Sequence, residues 1–338
     1  VQMQTAWGVR GQVIYEPSST VAGEGLGMPY LGSKVVIDGA QLNRQLQLKT
    51  VMEKILKPQE TYYDATNHTL DYGIQNRPNP VTNPAPYNLP ASAQQLRTVM
   101  ELEDKQVPLA LIWAENILHD GGKLSMRDFI IYEYLVDEYL PFQDEFGYIW
   151  MIRRGEESRL SGTGYRIGTK DEQLVLLKQA FWLKDIAGIA AAWGNSMDSL
   201  SKELSDPKDL MAAQINVKVN DLILLENGHW MATGPDPYIV FDFPKDFKSD
   251  LVYLETDKNV SRNAMQIFWT DDRFTEFNED QSFLFSTNAR KFLIPMSSAP
   301  NWLLSDGITS LRIDLPEDMS GEIQFLKVYA YSRPGYEN

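Results

Sequence analysis

The hydrophobic pattern of this chain changes character twice. Between residues 34 and 154, short apolar runs take turns with stretches of helical spacing. Lys34-Val-Val-Ile-Asp38 reads as a strand. From Ala40 to Leu56, the residues Leu42, Leu46, Met52, Ile55 and Leu56 recur at helical spacing. Pro58 stops that helix, because proline has no N–H to carry the ladder on. Glu60 to Asp64 is a second strand, and Thr66 to Gln75 a short helix with Thr66 as its N-cap. Arg77 to Pro90 is dense in proline and asparagine and reads as a wrapped loop. Ser92 opens a helix that runs to about Asp104. Leu109 to Ala114 is a continuous apolar run, the look of a strand buried on both faces. A helix over Met126 to Tyr139 and a strand over Gly147-Tyr-Ile-Trp-Met-Ile152 follow. This alternation predicts a doubly wound, Rossmann-like α/β domain over residues 34–154 with a mostly parallel sheet. The last strand could run antiparallel.

Beyond it, Arg153 to Gly168 is polar and rich in Gly, Ser and Arg, a linker. Lys170 to Leu204 is helical, broken near Trp193-Gly194, and Pro207 marks its end. Residues 155–215 therefore read as a helical connector. From about Asn216 the period drops from 3.6 to 2. Strands are expected at Leu222–Leu225, His229–Ala232, Tyr238–Asp242, Leu251–Glu255, Met265–Trp269, Ser282–Phe285, Lys291–Ile294, Ser310–Asp314 and Ile323–Tyr331. Short strands with turns between them predict an antiparallel, jelly-roll-like β-sandwich over residues 216–338. Residues 1–33 are irregular with one strand candidate, Val9–Tyr15. Gly23-Glu-Gly-Leu-Gly27 is a loop, since its GxGxG spacing is not bracketed by a strand-to-helix unit.

Composition narrows the function. The chain has 338 residues, 43% of them hydrophobic, and a formal charge of −15. That charge argues against a nucleic-acid backbone or an anionic membrane surface as the main partner. Without cysteine there is no disulfide, thiolate catalysis or Cys-based metal site. No run approaches the ~20 apolar residues of a membrane-spanning helix. The start at Val1-Gln-Met-Gln, with no initiator Met and no signal-peptide pattern, suggests a removed leader or a piece of a longer chain.

The candidate chemistry gathers at two strand ends. Leu109–Ala114 turns abruptly into Glu115, Asn116, His119 and Asp120, then Gly121-Gly122. Glu60–Asp64 runs into Thr66, Asn67 and His68. Two of the three histidines lie in these loops. Parallel neighbours send their C-terminal loops to one edge, the usual ligand crevice of an open α/β sheet. Asp64, Asn67, His68, Glu115, Asn116, His119 and Asp120 would then share one site. They could pair with the hydroxyls of a glycan, hold a divalent cation by carboxylate and imidazole, or serve as helix caps and loop ties. In the sandwich, Trp230, Trp269 and Trp302, with Tyr238, Phe274 and Phe277, could form a glycan-stacking face. Asp271-Asp272 and Glu276 to Asp280 could bind Ca²⁺ or form a solvated acidic loop. No GxSxG, HExxH, Walker A or deaminase signature occurs.

The run Tyr62-Tyr-Asp-Ala-Thr-Asn-His-Thr-Leu-Asp-Tyr72, then Asn76-Arg-Pro78, Ala85-Pro-Tyr-Asn88, Ala114–Gly122, Gly147–Arg153, Ala192-Trp-Gly-Asn-Ser196 and Ser310–Asp314, resembles the extracytoplasmic part of bacterial polytopic membrane glycosyltransferases of the GT-C type. The resemblance spans about residues 35 to 331. It implies a membrane-spanning region of the same protein beyond this chain, a polyprenyl-phosphate sugar donor, and a catalytic carboxylate in a loop between the first spans. That carboxylate has no counterpart here. The resemblance thus implies a periplasmic, tethered segment that binds or positions glycan or lipid-linked sugar, without a cofactor and inactive alone. The residues by themselves leave two alternatives: a free-standing carbohydrate hydrolase using Asp64, Glu115 or Asp120 as acid and base, and a non-catalytic interaction module.

Overall fold

The computed structural model describes residues 20–21, 35–36, 39–89, 91–114, 122–205, 207–211, 215–244, 247–260, 265–315 and 322–333. In chain order its elements begin with β1 (Thr20–Val21), β2 (Val35–Val36), α1 (Gly39–Ile55), β3 (Tyr63–Asp64), α2 (Asp71–Ile74), α3 (Ser92–Asp104) and β4 (Leu109–Trp113). Then come α4 (Leu124–Arg127), α5 (Phe129–Glu138), β5 (Tyr139–Gln143), β6 (Ile149–Arg153), α6 (Lys170–Phe181), α7 (Ala187–Asn195) and α8 (Met197–Leu200). The remainder is β7 (Lys208–Asp209), β8 (Asn216–Asn220), β9 (Leu222–Leu224), β10 (Trp230–Ala232), β11 (Tyr238–Asp242), β12 (Leu251–Val260), β13 (Gln266–Asp271), β14 (Ser282–Leu284), β15 (Ala289–Ile294), α9 (Pro300–Leu303), β16 (Ile308–Asp314), β17 (Glu322–Ile323) and β18 (Phe325–Tyr331). Among the described residues no helix is long and apolar enough to cross a membrane. The chain forms two compact units. The first takes Val1–Pro86, Met100–Glu115 and Tyr139–Ile167; the second takes Tyr87–Val99, Asn116–Glu138 and Gly168–Asn338.

The first unit is built on a four-stranded sheet in the order β3-β4-β6-β5. Only β3 and β4 run parallel, with Tyr63 opposite Ala110 and Asp64 opposite Leu111. The pairs β4–β6 and β5–β6 are antiparallel. The expected mostly parallel, doubly wound sheet is therefore corrected to a mixed one. The physical reason is the link between β5 and β6. It is a tight turn, whereas a parallel crossover needs a dozen or more residues. Asp144 builds that turn: its Oδ1 accepts the N–H groups of Phe146 and Tyr148, both at 2.9 Å, and its Oδ2 accepts the Trp150 indole N–H at 2.8 Å. Gly147 holds a φ of +89°, open to glycine at little steric cost. Tyr139, expected to close a helix, opens β5 instead. Val35–Val36, expected in this sheet, pairs antiparallel with Thr20–Val21. Helix α1 lays Leu48, Val51, Met52, Ile55 and Leu56 into a core with Tyr62, Leu109, Leu111, Phe142, Trp150 and Ile152.

The second unit is rich in antiparallel β-structure. A five-stranded sheet β14-β13-β16-β11-β8 and a four-stranded sheet β15-β12-β18-β7 share one hydrophobic core, and a small sheet β17-β10-β9 joins them. The alternation is plain on β12: Val252 and Leu254 enter the shared core, while Tyr253 and Leu251 pack with Met197 and Leu293 in a second cluster. Helix α7 lies against β15, and Gly194 is what lets it approach. A Cβ there would land on the Lys291 carbonyl. Helix α6 starts on a capping box, with Thr169 N–H donating to Glu172 (2.7 Å) and Glu172 N–H to Thr169 (3.3 Å). The expected 126–139 helix is two helices, since the backbone leaves helical geometry at Asp128, with φ −114° and ψ 51°.

Candidate site at the β3 strand end

The parallel register of β3 and β4 sends both strand ends to one edge. The Ala65 N–H extends the pairing by donating to the Leu111 carbonyl at 2.9 Å. Asp64, the last residue of β3, is fully buried. Its Oδ1 accepts from the Thr66 N–H (2.7 Å) and the Thr66 hydroxyl (2.6 Å), and its own N–H donates to the Tyr72 hydroxyl at 2.7 Å. Asp64 Oδ2 has no hydrogen-bond partner among the described residues. Thr66 Oγ1 also lies 3.0 Å from His68 Nδ1, and the His68 ring is half-buried. Between them Asn67 takes a left-handed φ of +68°, a conformation asparagine tolerates better than most residues, and its Oδ1 is buried without a partner among the described residues. Thr66 is thus not the expected N-cap; the helix begins later, at Asp71, and the Thr66 side chain orients Asp64 instead.

Behind this turn lies a second acid. Asp71 Oδ2 accepts from Arg44 Nη1 at 2.5 Å, and its Oδ1 from Gln45 Nε2 at 2.6 Å. Gln75 Nε2 in turn reaches Gln45 Oε1 at 2.6 Å. Arg44, Gln45, Asp64, Thr66 and Asp71 are all buried. Burial, reinforced by the charge on Asp71, raises the Asp64 carboxyl above the usual carboxylate range. Burial likewise drives the Tyr62 and Tyr72 phenols upward.

Of the sequence candidates, Asp64, Asn67 and His68 stand together in this turn. Glu115, Asn116, His119 and Asp120 lie outside the described residues. Arg44, Gln45 and Asp71 went unnoticed in the sequence. The available signal was an inner helix stripe, Leu48-Val51-Met52-Ile55, whose next positions toward the N-terminus are charged and polar, a pattern that calls for a buried partner.

The three tryptophans are a correction. Trp230, Trp269 and Trp302 are 7%, 0% and 4% exposed and belong to the shared core of the second unit. Trp269 packs edge-on against Trp302 with centroids 5.6 Å apart, and the Trp302 indole N–H donates to the Ser249 carbonyl at 2.7 Å. Large apolar rings gain more from core burial than from a wet face, so none offers a stacking surface. Of the other aromatics, Tyr238 lies under the Arg312 guanidinium, 3.7 Å from its ring centroid, and Phe274 is exposed.

No family model matches this chain, and no curated protein matches its sequence. Among solved structures it is similar to a low-affinity xylan binding module, CBM86, from Roseburia intestinalis, at 11% identity and a TM-score of 0.29, covering 38% of this chain and 97% of that one. It is similar to a Clostridium perfringens module, CpGH89CBM32-4, in complex with GlcNAc-α-1,4-galactose, at 11% identity and a TM-score of 0.27, covering 38% and 96%. It is also similar to the C-terminal extracellular domain of Mycobacterium tuberculosis EmbC, at 13% identity and a TM-score of 0.19, covering 30% and 38%. At these TM-scores the likenesses set neither fold nor function for this chain.

Proposed function

We propose that this chain recognises a glycan at the strand-end edge of β3 and β4. The observation that carries the reading is a buried polar turn with hydrogen-bonding positions left unmet. Asp64 Oδ2 and Asn67 Oδ1 lack partners among the described residues, His68 stands beside them, and Asp64 pairs with Leu111 of β4. Buried polar atoms are nearly always paired, so unpaired ones at a strand end suit a ligand that brings its own donors and acceptors. A sugar does this with hydroxyls. The sequence candidates Glu115, Asn116, His119 and Asp120, outside the described residues, are further proposed ligand contacts. The GT-C resemblance supplies the finer form: an extracytoplasmic, tethered region that positions acceptor glycan or lipid-linked sugar for a membrane-embedded, polyprenyl-phosphate-sugar-dependent active site. In that form no residue of this chain breaks or makes a bond.

The test is a glycan array followed by calorimetry on the hits. Asp64→Asn keeps the shape of the side chain and alters what Oδ2 can offer. The expected result is at least one glycan bound by the wild type, and about tenfold weaker binding in the variant, the equivalent of one hydrogen bond. Absence of any glycan affinity, or wild-type affinity in both Asp64→Asn and His68→Ala, overturns the reading.

A further inference from the structure

A pocket of about 520 Å³ in the second unit is lined by Leu174 and Lys178 of α6, by Phe274, by Asn278 to Gln281 and by Asn301. It lies within the size range of small-ligand sites. Two of its walls are amides that are only half satisfied. Gln281, 1% exposed, accepts the Asn278 Nδ2 donor at its Oε1 (3.0 Å), while its Nε2 has no partner among the described residues. Asn301, 2% exposed, donates Nδ2 to the Asp280 carbonyl (3.2 Å), while its Oδ1 has none among the described residues. Both residues line the pocket, each carrying one buried amide group left unmet, and leaving such groups unmet is costly.

The third wall is apolar and held in place. Phe274 is 39% exposed, and its loop is fixed by the buried Asp271 carboxylate, whose Oδ1 accepts the N–H groups of Arg273 (2.9 Å) and Phe274 (2.8 Å). The charges at the rim are matched. Lys178 Nζ lies 3.8 Å from Asp280 Oδ2, and Lys184 pairs with Glu279, which also accepts from Gln266 Nε2 at 2.8 Å. A pocket with compensated charges, an exposed aromatic ring and two half-satisfied amides in its wall suits a small neutral molecule with hydroxyls on its edge and C–H groups on its face.

We propose that this pocket binds one neutral pyranose ring, its C–H face against Phe274 and its hydroxyls against the Gln281 and Asn301 amides of the pocket wall. The site is separate from the β3 strand end and does not depend on it. The test titrates the full chain with the methyl glycosides of glucose, galactose, mannose and N-acetylglucosamine, followed by saturation-transfer NMR and calorimetry. Phe274 is a surface residue, so Phe274→Ala leaves the fold intact, whereas Asn301→Ala at a buried site needs its melting curve measured alongside. At least one glycoside is expected to bind with a millimolar Kd. Phe274→Ala should weaken it about tenfold, and Asp64→Asn should leave it unchanged. Binding of none of the four, or binding undiminished in Phe274→Ala, overturns the assignment. Loss in Asp64→Asn with retention in Phe274→Ala assigns the sugar to the strand end instead.

Discussion

Asp128 offers the clearest quantitative test of the second unit. It sits between α4 and α5, 1% exposed, and its Oδ2 has no partner among the described residues. Burial pushes this carboxyl from its ordinary value of 3.8 up to about 8, with the Arg127 charge opposing only in part. The sign follows from linkage. Between those two values the folded protein holds a proton that the unfolded chain has lost. Stability is therefore fully present below about pH 4, falls as pH rises, and levels off above about pH 8. The slope is about 1.4 kcal/mol per pH unit, so about 3 kcal/mol is lost between pH 5 and pH 7. Asp128→Asn keeps a neutral group of the same size at every pH. Glu133, whose carboxyl burial raises to about 7, titrates in both proteins and cancels from the comparison. Urea unfolding of wild type and variant at pH 5, 6, 7 and 8 reads the difference directly. The stability of the variant relative to wild type should climb by about 1.4 kcal/mol per unit up to pH 8. A difference flat to within about 0.5 kcal/mol over that range, close to the error of the extrapolation, would refute the reasoning.

Two substitutions probe the frame around the candidate sites. Arg44→Met removes the guanidinium from the buried Asp71 and leaves Gln45 to hold the charge, so it should cost about 3–5 kcal/mol in thermal or urea unfolding. Arg44→Met combined with Asp71→Leu should recover most of that loss, and a single-variant cost under about 1 kcal/mol would show a solvated pair. Gly194→Ala sets a methyl on the Lys291 carbonyl and must push α7 off β15. It should lower stability by about 1–3 kcal/mol, and an unchanged melting temperature would contradict the close approach.

Much of the element order was legible, and where it was, one physical rule was enough. The helix over residues 40–56, the Ser92–Asp104 helix and strand Leu109–Trp113 follow from apolar spacing and from proline or capping residues at their ends. The period-2 strands from Leu222 onward were read within a few residues, as with Tyr238–Asp242. The misses share a cause. Tyr139–Gln143 contains a proline and follows a helix without a break, so local spacing hides the change of conformation. Asn216–Asn220 lies on a sheet edge and alternates only Val217 and Val219 with polar residues, too short a signal to announce it.

The sequence by itself determined the local facts: where hydrophobic period runs at 3.6 and where at 2, that no thiol chemistry is available, and that polar residues crowd the ends of two apolar strands. Tertiary structure alone decided strand direction, which depends on what lies between strands in space. It also decided which aromatics are core. Trp269 and Trp302 look like stacking residues in isolation, but the shared core of the second unit encloses them. Phe274 lies only a few residues from Trp269 in sequence and stays at the surface. The pairing of Arg44 with Asp71, and the unmet hydrogen-bonding positions of Asp64, Gln281 and Asn301, belong to the same class. Burial and partnership are properties of neighbours brought together by folding, and a linear pattern does not contain them.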